Sequence, residues 1–457
     1  MSDPVSTGTT PDPSESDAPV GATSGTLAPP AEDTPGSALS DTALVDVAPE
    51  VLANSLGDYF AAWGRRIRNG ESGVLPVIAG LIIIVIFFQL ESSSFLTAQN
   101  LVNLFVQASI FIVFGAAEIF VLLLSEIDLS IGYVAAIGAF VIAELIAPPV
   151  NFPWWLGIIC GLAATSTLGL LQGTLITRLG LPSFVVTLGG YLGFYGVMLE
   201  VANADKTAVG GVINIDPNSP VSKLVNSSMS VTVGWIILVV VVALYAGVSL
   251  ARSRQRRAQG LTTPPLGVTL LSVGLVAVGG IVLMLICSAN RGLALSTING
   301  VPYVIPIVLL VLLIFSWMMA RTRPGRYIYA IGANPEAARR AGIKVNRIKT
   351  MGFVLSAFTA GIAGLIYASN QGSMSTDING GEYVLFAVAA GVVGGTSLFG
   401  GRGKIMHALL GGIVIAAVFN GLGLMGVSAA VEYMVTAVVL IAAVTLDALV
   451  RRRAVAR

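Results

Sequence analysis

The chain has 457 residues, of which 55% are hydrophobic and 11% charged, and its mean hydropathy is +0.86. A soluble domain carries roughly 25% charged residues, and several apolar runs here approach or exceed the roughly 20 residues that cross a bilayer; a soluble protein is excluded and an all-α, polytopic membrane helical bundle is expected. The net charge of +1 hides an asymmetry, because residues 1–57 hold nine acids and no Lys or Arg, leaving 15 acids against 25 bases, a net of +10, for the remainder.

Residues 1–57 are rich in Ser, Thr, Pro, Asp, Gly and Ala. Such a segment buries too little apolar surface to offset its ordering entropy, so it is expected to be a disordered acidic tail. It has neither the basic start nor the apolar core of a signal peptide. The polar stretch Asp58 to Ser72, with Trp63, Arg65, Arg66 and Arg68, suits an interfacial helix. Residues 58–457 then form the transmembrane domain. Apolar runs place spans at Val74–Leu90 and at about 101–125, 129–147, 154–177, 183–203, 231–250, 266–288, 302–320, 350–369, 383–399, 405–425 and 429–449. Several are short or glycine-laden and suit broken or re-entrant helices, so about 10–12 transmembrane segments are expected.

With the N-terminus in the cytoplasm and the spans alternating, the bases at Arg65–Arg68, Arg178, Arg252–Arg257, Arg321–Lys349, Arg402/Lys404 and Arg451–Arg457 all fall inside. Only Lys206, Lys223 and Arg291 fall outside, so 22 of the 25 bases obey the positive-inside rule. Both termini are thus expected to be cytoplasmic, with 204–230 as the main external loop.

Four acids, Glu118, Glu126, Asp128 and Glu144, lie in or near the second and third spans. Ionisable groups in hydrocarbon are costly and usually face the bundle interior or water. In SEIDLSIGYVAAIGAF, Ser125 to Phe140, Asp128 and Ser130 interrupt an apolar run. One reading makes Glu118, Asp128, Ser130 and Glu144 a candidate substrate path. The plainer one makes Asp128 a cap of the third helix near the cytoplasmic surface.

The glycine-rich GVVGGTSLFGGRGK, Gly391 to Lys404, fails as a phosphate-binding loop, because Leu398 stands where the first Gly belongs and Ile405 follows the Lys. Small residues for close helix packing explain its glycines better. His407 is the only histidine, and Cys160 and Cys287 lie in apolar runs as expected buried, inert thiols. These residues offer no metal set and no hydrolase nucleophile set.

The longest polar run outside the tail is GRYIYAIGANPEAARRAGIKV, Gly325 to Val345. Asn334 is a good N-cap, Pro335 fits the first helical position, Glu336 sits in the first turn and Arg339 and Arg340 in the last, and Gly342 can take the left-handed position beyond the end. A short helix over Pro335–Ala341 is predicted. At that length it is unstable alone in water and needs a surface to pack on.

Four markers in order, EIDLSIG (Glu126–Gly132), LPSFVVTLGG (Leu181–Gly190), GRYIYAIGANPEAARRAGI (Gly325–Ile343) and GGTSLFGGRGK (Gly394–Lys404), resemble the permease subunit of bacterial ABC importers for monosaccharides, the group that includes ribose, galactose and xylose permeases. The resemblance covers about residues 74–450. It implies that Gly325, Arg326, Gly332, Asn334, Pro335, Glu336, Ala337, Ala338 and Gly342 form the ATPase-coupling loop. The Asn334–Gly342 helix would dock on a separate ATPase subunit that carries ATP and Mg, while this chain binds no cofactor itself. It further implies a permease homodimer in the lipid bilayer of the cell membrane and an extracellular sugar-binding protein, with no nucleic-acid partner. The broader EAA pattern ends in I-x-L-P, and no Leu-Pro follows Gly342 here, so the packing of the loop on the ATPase does not transfer from permeases with that ending. The ARSRQRR turn, Ala251–Arg257, with its flanking spans resembles the additional pair of the xylose type, which favours a pentose. Two alternatives are a proton-coupled secondary transporter, with Glu118, Asp128 or Glu144 as proton carriers, and a membrane-embedded enzyme, against which the missing catalytic constellation speaks.

Overall fold

The computed structural model describes residues 74–204, 211–261, 263, 265–292, 297–428 and 430–438, with single positions at 57, 61, 64, 65, 441 and 445. Apart from those positions, the expected tail, the interfacial stretch and the end of the last span beyond 438 lie outside the described residues. Those described belong to one compact unit, Pro49–Arg457.

Among the described residues the helices with defined bounds follow in order: α1 (Leu75–Glu91), α2 (Ala98–Leu122), α3 (Ile131–Ile146), α4 (Trp154–Leu179), α5 (Ser183–Ala204), α6 (Pro220–Asn226), α7 (Val231–Ala258), α8 (Leu266–Ser288), α9 (Val304–Arg321), α10 (Arg323–Ala333), α11 (Pro335–Arg340), α12 (Val345–Gln371), α13 (Gly380–Val393) and α14 (His407–Leu424). Among the described residues eight are long and apolar enough to cross a membrane, and α1, α3 and α13 are shorter apolar helices. The chain is a polytopic helical membrane protein.

α2 is the axis of the bundle. From Ala108 onwards its sequence is apolar nearly all round, which suits a helix enclosed by others, and residues 108–124 are buried without interruption. α9, α12, α13 and α14 pack around it, and α3 and α4 pack on α12. Glycines make these contacts close. A Cβ at Gly412 would overlap the Ile112 backbone, one at Gly364 the Ala135 carbonyl, and one at Gly169 the Phe353 carbonyl; without side chains there, the helix backbones approach closely. α7 and α8 form an outlying hairpin in which Leu238 covers Gly280. Val239, Leu244, Leu275 and Leu285 on it are exposed and suit contact with lipid.

Two expected spans are shorter than hydropathy suggests. α3 begins only after Ser130, and α13 stops at Val393 rather than 399. At 1.5 Å per residue they extend roughly 24 and 21 Å, less than the roughly 30 Å hydrocarbon core. Both sit inside the bundle, where neighbouring protein satisfies the freed backbone. Beyond α13 the glycines serve a turn more than helix packing: Gly395, Gly400, Gly401 and Gly403 have φ of +107°, +79°, +69° and +150°. Cys287 is buried as expected, but Cys160 is only half-buried, because α4 packs one face and leaves the other outside.

The expected external loop 204–230 is structured where described. β1 (Val212–Asn214) pairs antiparallel with β4 (Ser373–Ser375), Val212 opposite Ser375, and β2 (Ser228–Met229) pairs with β3 (Val301–Pro302), Met229 opposite Val301. α6 clasps the end of α12: Ser369 Oγ accepts from Val225 N at 3.0 Å and donates to the Ser222 carbonyl at 3.2 Å, and Asn226 Nδ2 donates to the Ser369 carbonyl at 2.6 Å. At the other end of α12, Asn346 Nδ2 donates to the Thr177 carbonyl at 2.9 Å. That contact sets Arg178 beside the Arg321–Lys349 segment, and Arg252, Arg256 and Arg321 line one cavity. Arg178, Arg252, Arg256 and the bases of the Arg321–Lys349 segment thus gather at one end of the bundle.

Candidate functional site

The polar run between α9 and α12 folds into two consecutive short helices. α10 opens with Thr322, whose side chain accepts from Gly325 N at 3.4 Å. It ends at Asn334, which caps the next helix by accepting from Ala337 N at 2.9 Å. Pro335 fills the first position of α11. At the other end Gly342 takes φ +82°, and Ile343 N donates to the Ala338 carbonyl while Gly342 N donates to the Arg339 carbonyl, each at 3.0 Å. This pair of bonds is a Schellman motif and satisfies two carbonyls that the helix end would orphan. α11 runs to Arg340, with Ala341 as its C-cap, one residue shorter than predicted. Only Ala338 is buried; Asn334 to Ala337, Arg339 to Gly342, Lys344, Asn346 and Arg347 are exposed. Glu336 pairs with Arg339 at 3.0 Å and with Arg340 at 3.5 Å, across one side of the helix.

This exposed helix is tied to the centre of the bundle through a junction of three segments. Gly332, at the end of α10, lies against the Leu123 carbonyl at the end of α2; a Cβ there would overlap that oxygen and approach Gly401 N to 2.6 Å. Gly401 N donates to the same Leu123 carbonyl at 3.0 Å. Ser125 Oγ donates to the Phe399 carbonyl at 2.9 Å and lies 3.3 Å from the Gly332 carbonyl. Ser125 holds φ +63°, a left-handed conformation that costs a non-glycine residue energy and that these contacts stabilise. Gly325 is similarly constrained, since a Cβ would overlap the Met319 backbone. Tyr329 on α10 donates to the Gly403 carbonyl at 2.9 Å, and burial pushes its hydroxyl above the usual phenol range. Arg326 is exposed on the same helix. On the far side of α11, Lys349 in the first turns of α12 forms an ion pair with Glu126. His407 supports the glycine-rich turn, with Nδ1 3.3 Å from Thr396 Oγ1.

Glu118, Asp128 and Ser130 meet behind that junction. Asp128 Oδ1 accepts from Ser130 N at 2.9 Å and from Ser130 Oγ at 2.6 Å, and Glu118 Oε1 accepts from Asp128 N at 3.3 Å. Asp128 therefore braces the turn before α3 through Ser130, the N-cap residue, and makes no side-chain cap bond to the helix itself. It sits in the interior rather than at a surface: all three residues are 0% exposed. Gln172 on α4 completes the set by donating to Ser130 Oγ at 2.7 Å. The second marker closes it off, because Thr187 Oγ1 lies 3.4 Å from the Ile127 carbonyl and a Cβ at Gly190 would approach Gln172 Nε2 to 2.5 Å. Glu144 is not part of the set; it lies 14 residues beyond Ser130 on α3, roughly 21 Å away.

Sequence reasoning missed Gln172, the Glu126–Lys349 pair and the Leu123 carbonyl as shared acceptor. A lone Gln inside an apolar helix was the available signal for the first. All four markers thus converge on residues 123–130, the turn between α2 and α3.

Residues 100–444 match the family described as branched-chain amino acid transport system / permease component. The xylose transport system permease protein XylH of Escherichia coli (strain K12) is 33% identical over 384 residues, covering 83% of this chain and 93% of that protein. The ribose import permease protein RbsC of Escherichia coli (strain K12) is 29% identical over 81% of this chain and 92% of its own length, and the D-allose transport system permease protein AlsC of the same strain is 27% identical over 81% and 90%. No solved structure matches the chain. The spans place the chain in the cell membrane as a multi-pass protein, and the match over most of its length makes it a member of the branched-chain amino acid transport system / permease component family.

Proposed function

We propose that this chain is the transmembrane permease subunit of an ATP-driven importer of a neutral monosaccharide, with xylose the favoured substrate. The observation that carries the proposal is α11: a doubly capped, charged, exposed helix braced on the α2–α3 turn at the axis of the bundle. A helix of this length gains little stability alone, and its exposed side suits a groove on a partner. In this reading α11 faces the cytoplasm, where the bases gather, and docks on an ATPase subunit that binds ATP and Mg. Closure of that subunit moves α11, and the rigid junction passes the movement to α2 as a rocking of packed helices. The chain works as a homodimer and receives its sugar from an extracellular binding protein. The xylose preference rests on the likeness to the xylose permease and on the added α7–α8 hairpin.

The test is Glu336→Ala in the complex reconstituted with its ATPase. Its pairs with Arg339 and Arg340 are exposed and worth only about 0.5 kcal/mol, so the spans stay folded. The expected result is loss of ATP-driven uptake at normal assembly of the bundle; unchanged uptake and unchanged stimulated ATP hydrolysis would sink the proposal. A second reading, a proton-coupled transporter, draws on the buried Glu118–Asp128 pair. It requires uptake that persists with an inactive ATPase and collapses with a protonophore.

A further inference from the structure

The far end of α2, roughly 35 Å from Leu123, borders a cavity of about 380 Å³. Five carboxamides line it: Asn100, Asn103 and Gln107 from α2, Asn370 from the end of α12 and Asn420 from α14, with the ring of Phe419 beside them. The spacing i, i+3, i+7 sets the three α2 residues on one side of the helix. No lining residue is charged.

Part of this cluster is a built scaffold. Asn100 and Asn420 form a reciprocal amide pair, Nδ2 of Asn100 to Oδ1 of Asn420 at 2.8 Å and Nδ2 of Asn420 to Oδ1 of Asn100 at 3.0 Å. Asn100 Nδ2 also donates to the Phe95 carbonyl at 2.9 Å, and Asn420 Nδ2 to Gln107 Oε1 at 3.3 Å. The remaining capacity is unused. The amide nitrogen of Gln107 and the whole side chains of Asn103 and Asn370 have no protein partner among the described residues. Asn370 is held at the cavity by the α6 clasp on its neighbour Ser369.

We infer that this cavity is a binding site for one neutral polyhydroxylated solute, a monosaccharide, on its way into the bundle. Each carboxamide offers a donor and an acceptor, and so does each sugar hydroxyl. An ionic solute would lack the opposite charge that its desolvation requires. The volume falls in the range of small-molecule pockets, and an apolar ring beside a few convergent polar groups is their usual lining. The assignment rests on the proposed permease function, under which this end of α2 faces outward and receives the sugar before the α11 end moves.

The test uses the full chain reconstituted with its own ATPase subunit and binding protein, with xylose, ribose and allose as probes. Asn103→Leu and Asn370→Leu break no hydrogen bond among the described residues. Each is expected to lower ATP-driven sugar uptake about tenfold while leaving ATP hydrolysis stimulated by the binding protein within about twofold of wild type. Asn103→Gln and Asn370→Gln, which keep the amide, are expected to retain uptake and to change the order of preference among the sugars. Uptake within twofold of wild type in both Leu variants, or joint loss of uptake and stimulated hydrolysis, overturns the assignment and leaves the permease reading standing. A wild-type complex that moves none of the three sugars on ATP overturns the permease reading, and the cavity assignment with it.

Discussion

Lys349 and Glu126 form an ion pair across the base of the bundle, with side chains only 22% and 13% exposed. The pair ties the first turns of α12, which leave α11, to the turn that starts the EIDLSIG marker. It is the one charged strut between the exposed helix and the interior among the described residues. Removing one partner leaves the other partly desolvated and uncompensated, so Lys349→Met is expected to destabilise the fold by roughly 2 kcal/mol. The paired exchange Glu126→Lys with Lys349→Glu restores the attraction and recovers part of that loss. Thermal unfolding of the wild type, the single exchanges Glu126→Lys and Lys349→Glu and the double exchange in one detergent measures the coupling; additive losses would show that the pair is not a strut.

Two glycines of the same loop separate packing from backbone strain. Gly332 meets the Leu123 carbonyl and Gly401 N, both backbone atoms that cannot swing aside. Gly342 has open space where its Cβ would stand, but its φ is +82°. Gly332→Ala is therefore expected to pry α10 from α2 and cost about 3 kcal/mol, the upper part of the range for overpacking. Gly342→Ala costs about 1 kcal/mol of local strain and leaves the junction intact. Limited proteolysis at the α10–α11 segment distinguishes the two: cleavage accelerates strongly in the first variant and only slightly in the second.

These contrasts also mark what the sequence could reveal. The ends of α11 were legible because their signals are local: Asn334 caps three residues ahead, and Gly342 and Ile343 close onto Arg339 and Ala338. The long spans were legible because apolar length is itself the signal. The end of α13 was not, since hydropathy continues through Leu398 and Phe399 while the chain turns on Gly395, Gly400 and Gly401. The junction was not, because Leu123, Gly332 and Gly401 meet through backbone atoms, which no residue type announces. Glu118, Asp128 and Ser130 could be singled out by charge and hydroxyl content, but their company with Gln172 depends on how α4 packs. The carboxamide cavity was hidden for a similar reason: Asn100 and Asn420 are 320 residues apart.

Tyr329 links α10 to the glycine-rich turn through one bond to the Gly403 carbonyl, made as a donor and therefore only by the neutral phenol. Burial raises its pKa from the ordinary 10.0. The folded state thus holds the proton more tightly than the unfolded state. The stability linked to this group is complete below about pH 10 and is lost as pH rises from there through the folded value. Tyr329→Phe removes the bond, costing about 1 kcal/mol at neutral pH, and removes this alkaline dependence. Unfolding midpoints from pH 8 to 11 test it: the gap between wild type and variant should narrow towards the alkaline end, and a constant gap would refute the assignment.

Asn100 and Asn420 present the opposite case, a buried pair whose members each need the other. Both are 7% exposed, and their amides exchange two hydrogen bonds at 2.8 and 3.0 Å. Asn100→Leu leaves Asn420 Oδ1 without its donor, and Asn420→Leu leaves Asn100 Oδ1 without its own, while each remaining amide nitrogen keeps a second acceptor; each change is expected to cost about 2 kcal/mol, the penalty of an unsatisfied buried group. The double Leu variant replaces both amides with apolar groups of similar size, and two facing Leu side chains suit the surrounding helices. Its cost should fall well below the sum of the singles, giving a coupling of about 1 kcal/mol or more in a double-mutant cycle. That cycle separates stability from recognition at the cavity. The double variant keeps the helices in place but removes the scaffold that orients Gln107 and Phe419, so thermal stability near wild type should accompany reduced sugar uptake. Stability and uptake both near wild type would confine the pair to a packing role.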